Sequence, residues 1–267
     1  MGIGEHLETW EGWQAAVQAL AWQAELGAVD PIGDAPMNRY DLAVEVARKA
    51  APVAEAATPA VVAAPVQVDA VAVAQAMADA AGDLAALRAA MAAFDHCDLK
   101  RGARNLVFAD GNPAARVLVL GEAPGVNEDR AGLPFVGEAG QLLDRMFAAI
   151  GHARTSPDPE RSLYITNVLP WRPPENRDPS PDEIAMFRPF LLRHIALADP
   201  DMIVTMGNTP LMCLFGEKGI LRARGNWREV LGKPVMPMTH PAYLLRNPEA
   251  KREAWADLLS LQARLRG

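Results

Sequence analysis

Over residues 84–267 the amino-acid sequence predicts an α/β fold, a three-layer α/β/α sandwich on a central, mostly parallel four-stranded sheet. Three observations predict it. Short, mainly apolar runs recur after Asn105, each is followed by a segment of helical spacing, and Gly, Pro, Asn or Asp punctuates the junctions. A chain of 267 residues with 50% hydrophobic positions can bury the core that such a fold needs.

The elements follow in order. Trp10, Trp13, Ala16, Val17, Leu20, Ala21, Ala24 and Leu26 keep helical spacing, which predicts one amphipathic helix over Glu8–Leu26 that stops near Gly27. Residues 1–45 are therefore read as a helical appendage. Residues 46–83 form an Ala/Pro/Val-rich linker, its first part an extended tether, with a second helix expected over Val73–Phe94 at the entry to the main domain. Arg116–Gly121 reads as a buried parallel strand and Ala139–Ile150 as the helix after it. Leu163–Leu169 is the second strand, paired in sequence with a helix over Pro181–Ala198. Met202–Met206 is the third and opens into a helix over Thr209–Leu214. Lys233–Met238 is a short fourth strand, and Lys251–Leu265 closes the chain as a helix. In a sheet of this kind the ligand site lies beyond the carboxyl ends of the strands.

Charge is distributed unevenly. Residues 1–83 carry 12 acidic and 3 basic side chains, leaving 21 acids and 23 bases for residues 84–267. The net charge of −7 thus belongs to the first third, and the rest is mildly basic, so nucleic acid stays open as a partner. Two cysteines, Cys97 and Cys213, are too few for a disulfide framework or a four-cysteine metal or iron–sulfur site. No apolar run approaches the roughly 20 residues that span a bilayer, and Glu5 and Glu8 argue against a leader peptide. The expectation is a cytoplasmic protein with no membrane contact.

Polar residues gather at four predicted strand ends. Gly121-Glu-Ala-Pro-Gly-Val-Asn-Glu-Asp129, leading into Gly132-Leu-Pro-Phe-Val-Gly137, combines glycines that permit close backbone approach with the carboxylates of Glu122, Glu128 and Asp129. Those acids, and the absence of a P-loop lysine, argue against a phosphate cradle. Asn167 ends the second strand, where asparagine is disfavoured, so its amide either caps backbone or meets the donor–acceptor edge of a ligand such as a nucleobase. Met206-Gly-Asn-Thr209 turns a strand into a helix whose amino end could face an anion. His240 follows the last strand, as a structural residue or as an acid, base or electrophile. Tyr243, Leu244 and Leu245 beside Arg246 are apolar in a predicted loop, either buried packing or a wedge between bases.

In this order the segments resemble family 4 of the uracil-DNA glycosylase superfamily. The resemblance rests on Gly-Glu-Ala-Pro-Gly125 followed by Glu128, Leu-Pro-Phe-Val-Gly137, Ala139-Gly-Gln-Leu-Leu-Asp144, Ile-Thr-Asn-Val168, Arg172-Pro-Pro-Glu-Asn-Arg177 and His240-Pro-Ala-Tyr-Leu-Leu-Arg246. It covers residues 84–267 and leaves the first third unmatched. It implies a monofunctional uracil-DNA glycosylase, a monomer acting on uracil-containing single- and double-stranded DNA to release uracil, leave an abasic-DNA product and start base excision repair. Phe135 would stack on the flipped base, the Asn167 amide would read its O4 and N3–H edge, and Glu122, Ala123 and Gly125 would shape the pocket floor. His240 and Glu128 would be catalytic, the first donating to O2 of the departing base and the second positioning or deprotonating the attacking water. Leu244, Leu245 and Arg246 would fill the vacated stack, with Asn176, Arg177 and Asn208 as further DNA contacts.

The family normally carries four cysteines that bind a [4Fe–4S] cluster. Their positions here read Cys97, Lys100, Trp171 and Phe187. One thiolate cannot hold four irons, so no cofactor and no metal are expected, with Trp171 and Phe187 packing apolar surface instead. Two rivals stay open beside the main reading: a glycosylase for another deaminated base such as hypoxanthine, and a protein that binds uracil or abasic DNA with little turnover. A nucleotide-binding Rossmann-like module fails on its missing glycine pattern.

Overall fold

The computed structural model describes residues 69–266 and, near the amino terminus, Trp13, Gln14, Val17, Gln18 and Ala21, which are helical and exposed. The rest of the expected Glu8–Leu26 helix, and the linker as far as residue 68, lie outside the described residues. The chain divides into two units, residues 1–64 and 65–267, and the sheet lies wholly in the second.

That unit begins with two helices where the sequence suggests one. Asp69 caps α1 (Ala70–Ala80) by accepting from the Val71 and Ala72 N–H groups, and Asp83 caps α2 (Leu84–Ala93) by accepting from Ala86 at 2.7 Å. Gly82 and Asp83 break the periodicity between them. Residues 69–83, expected in the linker, therefore form part of the packed domain: Ala74 and Ala78 are fully buried, and the Arg193 guanidinium donates to the Ala81 carbonyl at the end of α1. An alanine-rich run reads as tether by composition, yet small side chains are what let two helices approach closely.

After α3 (Leu99–Gly102) come β1 (Ala109–Gly111), β2 (Val117–Gly121), α4 (Val126–Ala131), α5 (Glu138–Ala148) and β3 (Leu163–Asn167). Then follow α6 (Pro181–Ala198), β4 (Met202–Met206), α7 (Asn208–Phe215), α8 (Ile220–Ala223), β5 (Arg228–Val230), β6 (Lys233–Met238), α9 (Pro241–Arg246) and α10 (Lys251–Leu265). The sheet order is β1-β3-β2-β4-β6-β5. Its four central strands are parallel and are the four that the sequence predicts; β1 and β5 add antiparallel edges, making six strands. Each edge strand has only three residues, none of them buried, too short for an alternating pattern to register.

Alternation along the central strands builds two cores. Leu118, Leu120, Tyr164, Ile203 and Val235 face a layer of α1, α2, α6 and α7; Val117, Val119, Ile165, Val204 and Met236 face α5 and α10. Both faces are covered, so β2, β3 and β4 are buried throughout, β6 is buried from Val235 on, and the four read as mainly apolar runs. Because these strands are parallel, Gly121, Asn167, Gly207 and His240 come to the same rim of the sheet.

Candidate active site

Gly121 and Asn167 are register partners at the ends of β2 and β3. A side chain at Gly121 would overlap the Asn167 amide oxygen and the Phe135 ring, so glycine leaves room for both groups to meet over the strand end. Asn167 is 6% exposed, and its amide makes no hydrogen bond within the described residues. Of the two sequence alternatives for Asn167, a backbone cap is thus not what the fold provides; the amide remains available to a ligand. Phe135 has φ +53°, a left-handed conformation costing an aromatic residue about 1–3 kcal/mol. Gly140 in α5 lies against the Phe135 backbone, where a Cβ would collide with the Phe135 carbonyl. The ring stacks on the His240 imidazole at 5.5 Å between centroids and 26° between planes.

His240 is the N-cap of α9, and its Nδ1 accepts from the Ala242 N–H at 3.1 Å. An imidazole that accepts at Nδ1 carries its proton on Nε2 and is neutral. Burial, followed by the nearby Arg246 charge and opposed by Glu128, lowers its pKa to about 4. Burial lowers His194, which bonds Tyr164 through Nε2, to about 4 as well. Unfolded, both titrate near ~6.5; from there down to about 4 the unfolded chain binds more protons, and stability falls as pH falls. We expect melting temperature to drop between pH 7 and pH 5, with a smaller drop in His194→Gln, measured by thermal denaturation.

The carboxylates of the first loop have different partners. One Glu128 oxygen accepts from the Val136 and Gly137 N–H groups at 2.9 and 2.7 Å, and the other from Gly125 at 3.2 Å. It therefore clamps the two glycine-bearing stretches together through three backbone N–H groups. Glu122 accepts from the Thr209 hydroxyl through one oxygen; burial pushes its pKa up, the Thr209 bond pulls it down, and Asp178 adds to the rise. Asp129 is buried and accepts from the Arg104 and Asn105 N–H groups, fastening the chain before β1 to this loop. Ala123 packs on the first core, and a Cβ at Gly125 would approach Glu128 to 2.8 Å.

The expected DNA contacts differ in exposure. The stretch read as a loop after His240 is α9, which turns Leu244 into the second core at 1% exposure, so it cannot enter the base stack. Leu245 is 38% exposed, and Arg246 is exposed beside it. The Asn208 side-chain oxygen accepts from the Gly219 and Ile220 N–H groups, a structural cap. Arg177 forms a double bond pair with Glu183, and Asn176, at φ +55°, accepts from Arg172. Asn176 and Arg177 are nevertheless exposed at the surface. Thr209, Gly140 and Arg154 matter to the site but lie outside the segments singled out above or carry no signal there.

The four positions of the family's cluster cysteines do not suit a cluster. Cys97, Trp171 and Phe187 are buried in the first core, where Phe94 meets Phe187 and Phe190 edge-on at 5.8 and 5.4 Å. Burial raises the Cys97 thiol pKa. Lys100 donates to the Ala92 carbonyl and pairs with Asp95, while the Trp171 indole N–H is buried with no partner among the described residues and can only donate. Among the described residues no group of three or more His, Cys, Asp or Glu could hold a metal ion. The chemistry of this donor set does not fit four-iron ligation.

At its carboxyl rim the doubly covered sheet thus presents Phe135 and Asn167 at Gly121, with the neutral His240 imidazole stacked on the Phe135 ring. Residues 108–259 match the family model of the uracil DNA glycosylase superfamily. The chain belongs to that superfamily. It is similar to the type-4 uracil-DNA glycosylase of Thermotoga maritima, 42% identical over 57% of this chain and 77% of the relative. Its likeness to the type-4 enzyme of Archaeoglobus fulgidus is 39% over 60% and 82% of the two chains, and to that of Sulfurisphaera tokodaii 39% over 58% and 73%.

Proposed function

We propose that this chain is a monofunctional uracil-DNA glycosylase that hydrolyses the N-glycosidic bond of a flipped deoxyuridine. The observation that carries the reading is the convergence of the unpaired Asn167 amide and the Phe135 ring over Gly121, with the neutral His240 stacked on that ring. Phe135 stacks on the pyrimidine, and the Asn167 amide donates to O4 and accepts from N3–H. Cytosine presents a donor in place of O4, and a buried mismatch of that kind rejects it.

As the C1′–N1 bond breaks, its electron pair passes to the base and negative charge builds on O2. His240 Nε2–H donates to that oxygen, stabilising the anion without transferring a proton. Water adds to C1′ of the cationic sugar and gives its proton up to solvent, while the departing uracil anion takes one from solvent, so that the products are the abasic site and neutral uracil. Glu122, with one oxygen held by Thr209 and the other uncommitted, is the carboxylate that orders this water and faces the positive sugar. Glu128 acts at one remove, through the loops that carry Phe135. Leu245 and Arg246 occupy the vacated stack and meet phosphate, which suits single- and double-stranded substrates with little sequence preference.

The chain works without an iron–sulfur cluster in this account, the aromatic cluster of Phe94, Trp171, Phe187 and Phe190 bracing the region instead. Purified protein is expected to contain no stoichiometric iron and no visible absorption band. Phe187→Ala should cost about 3–5 kcal/mol in chemical denaturation, the usual cost of emptying a buried phenyl site; bound iron would overturn this part of the account. Among the described residues no helix is long and apolar enough to cross a membrane.

The function is tested by incubating the protein with oligonucleotides that carry uracil or hypoxanthine and scoring alkali-labile sites. Sites at uracil alone support the proposal. Sites at hypoxanthine alone identify a different base specificity, and tight binding of the uracil strand without alkali-labile sites identifies a binding protein.

A further inference from the structure

We propose that Arg154 is a positioning residue for base recognition, fixing Phe135 in the left-handed conformation that brings its ring over the strand end. This inference rests on the glycosylase reading above and adds a residue outside every segment singled out in the sequence. Arg154 follows β-bridge residue Ala153, between α5 and β3, and its side chain is only 11% exposed. Every nitrogen of its guanidinium is engaged. Nε donates to Asp144 at 2.8 Å, Nη1 to Asp110 at 3.0 Å and to the Pro134 carbonyl at 2.9 Å, and Nη2 to the Phe135 carbonyl at 2.9 Å.

The two carboxylates lie on β1 and α5, so the fork is held from both sides before it reaches the loop. Two successive carbonyls, Pro134 and Phe135, then point at one planar cation, which fixes the peptide between them. A φ of +53° is disfavoured for phenylalanine and persists only when its surroundings over-determine it. Gly140 closes the other side of the same carbonyl by bringing the α5 backbone against it. Turning Phe135 back to an ordinary conformation would swing this carbonyl off the guanidinium, and the ring would leave its place beside Gly121 and His240. Lysine cannot replace the fork: an ammonium is a point charge without the planar array that reaches both carboxylates and both carbonyls.

The test compares wild type, Arg154→Met, Arg154→Lys, Phe135→Ala and the Arg154→Met/Phe135→Ala double variant. Single-turnover uracil excision, inhibition by free uracil and affinity for abasic-site duplex are measured for each. Arg154→Met and Arg154→Lys are expected to slow excision by about 10- to 100-fold, the scale of a misplaced recognition group. Uracil inhibition should weaken in parallel while abasic-duplex affinity stays near that of wild type. In the Phe135→Ala background, Arg154→Met should change excision by less than about threefold, since coupled residues are not additive.

Full excision and full uracil inhibition in Arg154→Lys would overturn the inference, as would an undiminished Arg154→Met effect without the Phe135 ring. So would loss of abasic-duplex binding in step with excision, which marks a general structural role. Should Arg154→Met fail to fold, the lysine variant, which keeps the charge between Asp110 and Asp144, carries the comparison alone. A wild-type chain that released no uracil would overturn the glycosylase reading together with this inference; an active wild type with unaffected Arg154 variants would overturn this inference alone.

Discussion

His240→Ala is expected to lower the single-turnover rate of uracil excision by about 10²–10³-fold, the scale set by removing one preorganised donor from a developing oxyanion. Substrate binding should change far less, because the donation strengthens only as charge moves onto the base. The structure supplies the reason that this histidine acts as a neutral donor: the Ala242 N–H occupies Nδ1, and burial holds the pKa at about 4. The imidazole therefore keeps its form from neutral pH down to about 5, and no inflection near 6.5 is expected from His240 in the pH–rate profile. A rate loss matched by an equal loss of DNA affinity would show a binding role instead, and single-turnover rates with equilibrium binding on the same variant separate the two.

Gly121→Ala is expected to be nearly as damaging, through space alone. The added methyl falls on the Asn167 amide oxygen and the Phe135 ring, so one or both must leave the position in which a base would be read. A displacement of that size costs on the order of 10²-fold in rate. The overlapped atoms belong to side chains at the rim, which can turn aside without unmaking the sheet, so melting temperature should stay close to that of wild type. Excision and thermal denaturation measured together check this; a variant that excises uracil at the wild-type rate would show that the base is read elsewhere.

Much of this site was legible in the sequence because parallel strands buried on both faces are short apolar runs, and polar residues at their ends stand out. Gly121, Asn167 and His240 stand out in this way, and their meeting at one rim follows from β2, β3 and β6 running in the same direction. Edge strands of three residues carry too little pattern to be seen. The adjacent Leu244 and Leu245 look alike in sequence, yet a six-residue helix sends one into the core and leaves the other exposed. The backbone partners of Glu128 are not legible, since two of them, Val136 and Gly137, sit eight and nine residues away. Arg154 was invisible for the same reason on a longer scale: its partners span Asp110 to Asp144, and nothing near Arg154 in the chain predicts them. Residues 69–83 show composition misleading in the other direction, since alanines that suggest a tether form a close helix contact once Asp69 and Arg193 secure the two ends.

The central claim is hydrolysis of the glycosidic bond with no cutting of the strand. Its most direct measurement uses an end-labelled oligonucleotide with a single uracil, following free uracil by chromatography and strand length by electrophoresis before and after alkali. One uracil is expected to be released per oligonucleotide, with an intact strand before alkali and complete scission at the former uracil position afterwards. Unreleased uracil, or a strand already cut before alkali treatment, would contradict it.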